Sequence, residues 1–215
     1  MTPLRSPRPR RSARDDRVPS SALPRSFYAR NACVVARALL GRLLVHDTRA
    51  GRTAGRILEV EAYGDETDPA SHARPGHTAR NASMFGAPGH AYIYRSHGIH
   101  HCFNVVTGRA TRAAAVLVRS LEPRFGLALM ARRRRKRDPR LIAPGPGCLG
   151  EALGIDLRHD GVDLTRGALW ISRSRRMIAG ERIGRSARIG IRFGLDRPWR
   201  FFIVPSRAAG RRGER

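Results

Sequence analysis

Between about residue 24 and residue 205 the chain carries regular hydrophobic patterns, and outside those limits it carries none. Ala32, Val35 and Leu39 recur at helical spacing, with Gly41 placed to stop the helix. Residues 42–47 (RLLVHD) then read as a strand. In 56–63 (RILEVEAY) the period is two: Leu58, Val60 and Ala62 fall on one face, Ile57, Glu59, Glu61 and Tyr63 on the other. Residues 91–94, 101–107 and 113–119 read as three further strands, and 168–172 and 200–204 as late ones. Residues 122–135 read as a helix with acid at its start and base at its end, as the macrodipole favours, and 144–150 (PGPGCLG) as a tight turn. Residues 64–90 form a polar stretch without regular pattern, and so long a loop in a compact domain usually has a job. Consecutive strands lack crossover helices. The pattern therefore predicts a mixed α/β (α+β) single domain, with a mainly antiparallel sheet and peripheral helices.

The two ends differ from this middle. Residues 1–24 are Arg, Pro, Ser and Asp with scattered apolar residues, which predicts a disordered basic arm. Residues 206–215 match it as a basic tail, leaving 25–205 as the folded unit. Across 215 residues, 42 Lys+Arg face 17 Asp+Glu, a net charge of +25. A balance this basic argues against a carboxylate cage for Ca²⁺ and points to a polyanion, nucleic acid first. No apolar run is long enough to span a membrane, and no apolar segment near the start reads as a secretory signal, so no membrane partner is expected. Three cysteines without CxxC spacing argue against a disulfide framework or zinc ribbon, and for a reducing, cytoplasmic setting.

The scarce residue types carry the candidate chemistry. Glu59 and Glu61 lie on one strand face in a chain poor in acid, about 7 Å apart by strand rise. They read either as ion-pair partners for arginines or as a general base that activates water. Three of the four tyrosines, Tyr63, Tyr92 and Tyr94, fall in the same region, as cross-strand packing or as a stacking pocket for a nucleobase. His100 and Cys102 share a strand face and invite a zinc reading. No HExxH or Cys-pair spacing supports it, so no metal and no cofactor are expected. The basic run 131–140 (ARRRRKRDPR) suits sequence-blind phosphate contact, and no GxxxxGK[ST] loop is present.

These residues also fall into an order. Glu61-Ala62-Tyr63, His72, Arg80-Asn81-Ala82-Ser83-Met84-Phe85, Tyr92-Ile93-Tyr94, Gly98 through Cys102-Phe103-Asn104, and Leu117-Val118-Arg119 follow one another at set spacings. Arg188-Ile189-Gly190-Ile191 and Pro198-Trp199-Arg200-Phe201 complete the series. In this order the chain resembles the alkylpurine DNA glycosylase family, the 3-methyladenine glycosylase type also found in mammals, from about Arg25 to Val204. The resemblance implies a single domain around a curved antiparallel sheet, acting on double-stranded DNA that contains damaged purines. It implies Glu61 as the catalytic glutamate that activates water and Arg119 as the arginine that helps hold that water. Tyr63 would stack on one face of a flipped base, with His72 and Tyr94 on the other. Asn104 would crowd the purine 2-position and disfavour guanine. His97 stands where the family commonly places a tyrosine wedge, and Cys148 where a lysine is common.

One further expectation comes from composition. Glycosylases that also cut the strand use an amine to form a Schiff base. Lys136 is the only lysine, in the basic run, and the predicted arm separates the terminal amine from the fold, so a monofunctional enzyme is expected. A monomer is expected as well. The alternative is a non-catalytic basic protein that binds RNA or the ribosome. It accounts for the charge, but not for Glu61, Tyr63 and Arg119 at family spacing.

Overall fold

The computed structural model describes residues 21–109 and 112–204. The elements, in chain order, are helices α1 (Arg25–Tyr28) and α2 (Ala32–Leu39) and strands β1 (Arg42–Thr48), β2 (Gly51–Tyr63), β3 (Ala91–Ser96), β4 (His100–Thr107) and β5 (Ala114–Phe125). Helices α3 (Leu127–Arg134) and α4 (Pro146–Leu153) follow, then β6 (Leu169–Arg175), β7 (Arg182–Ser186) and β8 (Arg200–Val204). All pairings are antiparallel, in an open sheet of order β3-β4-β5-β2-β1-β6. The long β2 has β5 along one edge. Its other edge is shared, β1 taking the first half and β8, itself paired to β7, the second. This is the single α+β domain that the strand-after-strand pattern predicts.

The period of two separates the faces of β2 to β5. Val60, Ala62, Ile93, Phe103, Val105, Val116 and Val118 point into the main core, against α2 and α4. The opposite face carries a smaller cluster of Ala73, Met84, Tyr92, Val106, Ala113 and Ala115, with Tyr63, Phe85 and Tyr94 at its rim.

Four expectations are corrected. Residues 122–125 are strand, because Glu122 pairs with Arg56 across the sheet, its Oε2 accepting from Nε at 2.8 Å. The helix begins only after Gly126. There φ is +68°, and a Cβ would lie 2.2 Å from the Arg52 carbonyl oxygen. Residues 144–150 are not a tight turn, since α4 starts at Pro146, whose missing N–H costs nothing in a first helical turn. Gly147 and Gly150 instead let α4 lie against β4, with Cβ positions 2.6 Å from the His100 ring and 2.5 Å from the His101 carbonyl. Within β2 the two faces change phase. Irregularities between Ile57 and Val60 put Ile57 in the main core with Val60 and Ala62, away from Glu61, and leave Leu58 half-buried. At the start, Leu23 is buried and Ala22 bridges to Ser172, so the fold takes in residues assigned to the arm. Residues 1–20 of the predicted arm, and the tail, lie outside the described residues. Among the described residues no helix is long and apolar enough to cross a membrane.

Candidate active site

The second face of the sheet opens into a cavity of about 420 Å³. Tyr92, Asn104, Leu117 and Glu61 stand opposite one another on β3, β4, β5 and β2, so one row of the sheet runs from an aromatic to a carboxylate. Tyr94 and Cys102 form the next pair. The cavity wall holds Tyr63, His72, Tyr94, His97, Asn104 and Arg119, six of the seven residues singled out by the resemblance.

Glu61, the seventh, lies directly behind that wall, with its side chain 0% exposed. Its Oε2 accepts from the Tyr63 hydroxyl at 2.9 Å and from Arg119 Nη1 at 3.1 Å, and its Oε1 accepts from the Ile189 N–H at 2.7 Å. All three donors belong to residues that line the cavity. A carboxylate has about four lone-pair sites, so one remains for a further donor. Burial, with the Glu61 carboxylate beside it, pushes the Tyr63 hydroxyl well above the usual tyrosine range and keeps it a donor.

Both glutamates meet one arginine. Arg119 falls at the β2–β5 irregularity, between the pairs Glu59↔Ser120 and Val60↔Val118, and such bulges re-aim side chains beside functional sites. Its Nε donates to Glu59 Oε1 at 2.8 Å while Nη1 reaches Glu61. Glu59 also accepts from Arg200 at 2.7 Å. Burial works to raise the Glu59 carboxyl, and Arg200 and Arg119 outweigh it, holding the group below the usual range. The ion-pair reading thus describes Glu59 fully and Glu61 only in part.

His72, Tyr94 and Asn104 are fixed by short contacts. His72 Nδ1 is 2.8 Å from the Tyr92 hydroxyl, and its ring stands edge-on to Tyr94 at 4.5 Å. Burial, and then the charge of Arg80, hold the imidazole below its ordinary range, so His72 stays neutral near pH 7. The Asn104 amide donates to the carbonyls of Tyr92 at 3.0 Å and Cys102 at 3.2 Å, which locks its orientation. His97 is exposed at the tip of the β3–β4 hairpin with φ +49°, beside Ile99, which is 71% exposed. His100 packs on Gly147, while Cys102 is buried against the cavity. Among the described residues, no three His, Cys, Asp or Glu side chains converge as metal ligands would.

The chain matches the model of the methylpurine-DNA glycosylase (MPG) family over residues 26–207. This chain belongs to that family. It is 45% identical, over 84% of its own length and 94% of the relative's, to a protein of Carboxydothermus hydrogenoformans named as a candidate 3-methyladenine DNA glycosylase. Relatives with the same name in Methanoculleus marisnigri (47% identical, 88% and 99% covered) and Rhodopseudomonas palustris (44%, 90% and 95%) agree. As a family member the chain is a DNA glycosylase, and the non-catalytic alternative gives way.

Sequence reasoning gave no role to the glycosylase's β7–β8 connection, residues 187–199. It lines the cavity from Ile189 to Phe193 and supplies the N–H that holds Glu61. Its anchor is an ion pair of two fully covered side chains. Arg188 Nη1 donates to Asp68 Oδ2 at 2.6 Å and Nη2 to Oδ1 at 2.8 Å, which latches the connection to the loop that carries His72. The signals of this in the sequence were the scarcity of acids and the motif Arg188-Ile189-Gly190-Ile191, which belonged to the series but carried no role.

Proposed function

We propose that this glycosylase flips alkylated purines such as 3-methyladenine out of duplex DNA and hydrolyses the N-glycosidic bond with a water activated by Glu61, leaving the strand intact. The observation that carries this reading is the Glu61 carboxylate, fixed by three donors directly behind an aromatic cavity and keeping one acceptor site. Alkylation puts positive charge on the base and weakens the glycosidic bond. The enzyme's tasks are then to hold the base, to take a proton from water, and to offset charge growing on the sugar. Glu61 serves the last two, and Arg119 orients it. Tyr63 stacks on one face of the base; Tyr94 and neutral His72 close the other, and Asn104 crowds the purine 2-position. Base release from alkylated duplex DNA tests the reading directly, and release no faster than from a sample without protein overturns it.

Two details have their own tests. His97 and Ile99 form the exposed hairpin tip, suited to fill the gap left by a flipped nucleotide. Replacing His97 by Tyr adds apolar contact, and is expected to raise kcat/KM several-fold on duplex but not on single-stranded substrate. Equal gains on both would remove the wedge role. Lys136 is exposed at the end of α3 and does not line the cavity. Borohydride added during turnover is therefore expected to trap no covalent DNA adduct, and the product is an abasic strand that breaks only on alkali or heat. A trapped adduct would mean a bifunctional enzyme. The protein acts as a monomer at DNA, in the cytoplasm beside the nucleoid, and the exposed arginines around 132–140 supply salt-sensitive attraction without sequence preference.

A further inference from the structure

The ring assigned to base stacking already has a cation on its other side. The guanidinium carbon of Arg188 is 4.8 Å from the centroid of the Tyr63 ring. Its side chain is 0% exposed and forms no part of the cavity wall, whereas Tyr63 does. Arg188 therefore meets Tyr63 from behind, and the cavity meets it from the front. The guanidinium is held in place by Asp68, by the Ala62 carbonyl, to which Nη1 donates at 3.1 Å, and by the Trp199 ring at 5.3 Å. Among the described residues no arginine lies over Tyr94 or Tyr92.

An aromatic face attracts a cation through the negative lobe of its quadrupole. A guanidinium against one face draws π density toward itself, and its charge repels a second cation across the ring. A neutral purine, which stacks through dispersion and buried area, loses little by this arrangement. Asp68 neutralises the pair as a whole, so the effect on the ring is local and grows when the charge of Asp68 is removed.

We propose that Arg188 is a specificity-determining residue, whose guanidinium behind Tyr63 weakens the preference of that ring for positively charged bases and so widens the cavity's acceptance toward neutral damaged purines. This rests on the glycosylase reading above, with Tyr63 as a stacking residue. Selection for cationic bases then falls mainly to Tyr94, on the opposite side.

The test is a ratio. Single-turnover release of a cationic base (7-methylguanine) and of a neutral one (hypoxanthine) is measured from otherwise identical duplexes. The variants are Arg188→Gln combined with Asp68→Asn, which removes both buried charges while keeping polar side chains, Asp68→Asn alone, and Arg188→Lys. The cationic-to-neutral ratio is expected to rise about three- to tenfold in the double variant, the range of a partly desolvated cation–π contact. It is expected to fall in Asp68→Asn and to stay within about twofold of the parent in Arg188→Lys. A merely structural role lowers both rates together and leaves the ratio alone. The two variants move the ratio in opposite directions, so either one carries the test by its own sign if the other does not fold. A ratio that stays constant in the folded variants, or rises in Asp68→Asn, overturns the role of Arg188 only. A parent protein that releases neither base overturns the glycosylase reading, and this proposal with it.

Discussion

Replacing Glu61 by Gln is expected to lower the rate of 3-methyladenine release from alkylated duplex DNA by about 10²–10⁴-fold, the usual share of a positioned acid–base group. The amide is nearly isosteric but has only one acceptor oxygen, and three donors point at the carboxylate. If that oxygen keeps the Ile189 N–H, the new NH₂ faces Arg119, which cannot accept. If it flips, the NH₂ faces the Ile189 N–H. Either way a buried donor loses its partner, at a cost of about 1–3 kcal/mol, so a thermal melt must show that the variant is folded when it is assayed. Glu59→Gln is the informative companion. Glu59 shares Arg119 but lies on the outer side of that guanidinium, tied also to Arg200. Its loss leaves Arg119 on Glu61 and is expected to cost less than about tenfold in rate. Comparable losses in the two variants would mean that the glutamates act as one charge cluster, with neither serving as the base.

The sheet and most of the cavity are legible in the sequence because they depend on local alternation. Tyr92 and Tyr94, or Cys102 and Asn104, sit two apart on short regular strands, and a period of two places them on one face. The resemblance then singled out Glu61, Tyr63, His72, Asn104 and Arg119, and these five are brought together at one cavity. Reading failed where a long-range contact overrides the local pattern. The helix read at 122–135 had to wait for Gly126, because β5 runs on to pair with β2 and ends where its backbone crowds Arg52. The glycines of 144–150 looked like a turn, yet serve the approach of α4 to β4. The alternation in β2 broke at Leu58, and the compensating irregularity at Arg119 lets one guanidinium reach two carboxylates. No periodicity announces a bulge, since its position is set by the partner strand. Likewise Asp68 and Arg188 are 120 residues apart, and nothing near either one names the other.

That pair carries the largest stability effect. Asp68→Ala is expected to lower unfolding free energy by about 3–5 kcal/mol, the cost of leaving one partner of a buried ion pair uncompensated. For a chain of this size the shift in Tm is on the order of 10 °C. The carboxylate also accepts from the N–H groups of Gly64 at 2.9 Å and Ala70 at 3.2 Å, so the loop leading to His72 loses its anchor together with the connection that carries Ile189. Arg197 touches the same carboxylate at 3.7 Å but is 30% exposed, and Arg197→Ala is expected to cost less than about 1 kcal/mol. The dependence on pH has a definite sign. Burial acts to raise the Asp68 carboxyl, and Arg188 with the Gly64 N–H outweighs it, leaving the group below its ordinary value. The stabilisation is therefore complete above the unfolded carboxyl range, about pH 3.9, and is lost as pH falls through the lower folded value. Parent and Asp68→Ala should thus differ fully in Tm at pH 7 and converge only in strong acid. A gap that closes between pH 7 and pH 5 would mean that a histidine, rather than this carboxylate, sets the difference.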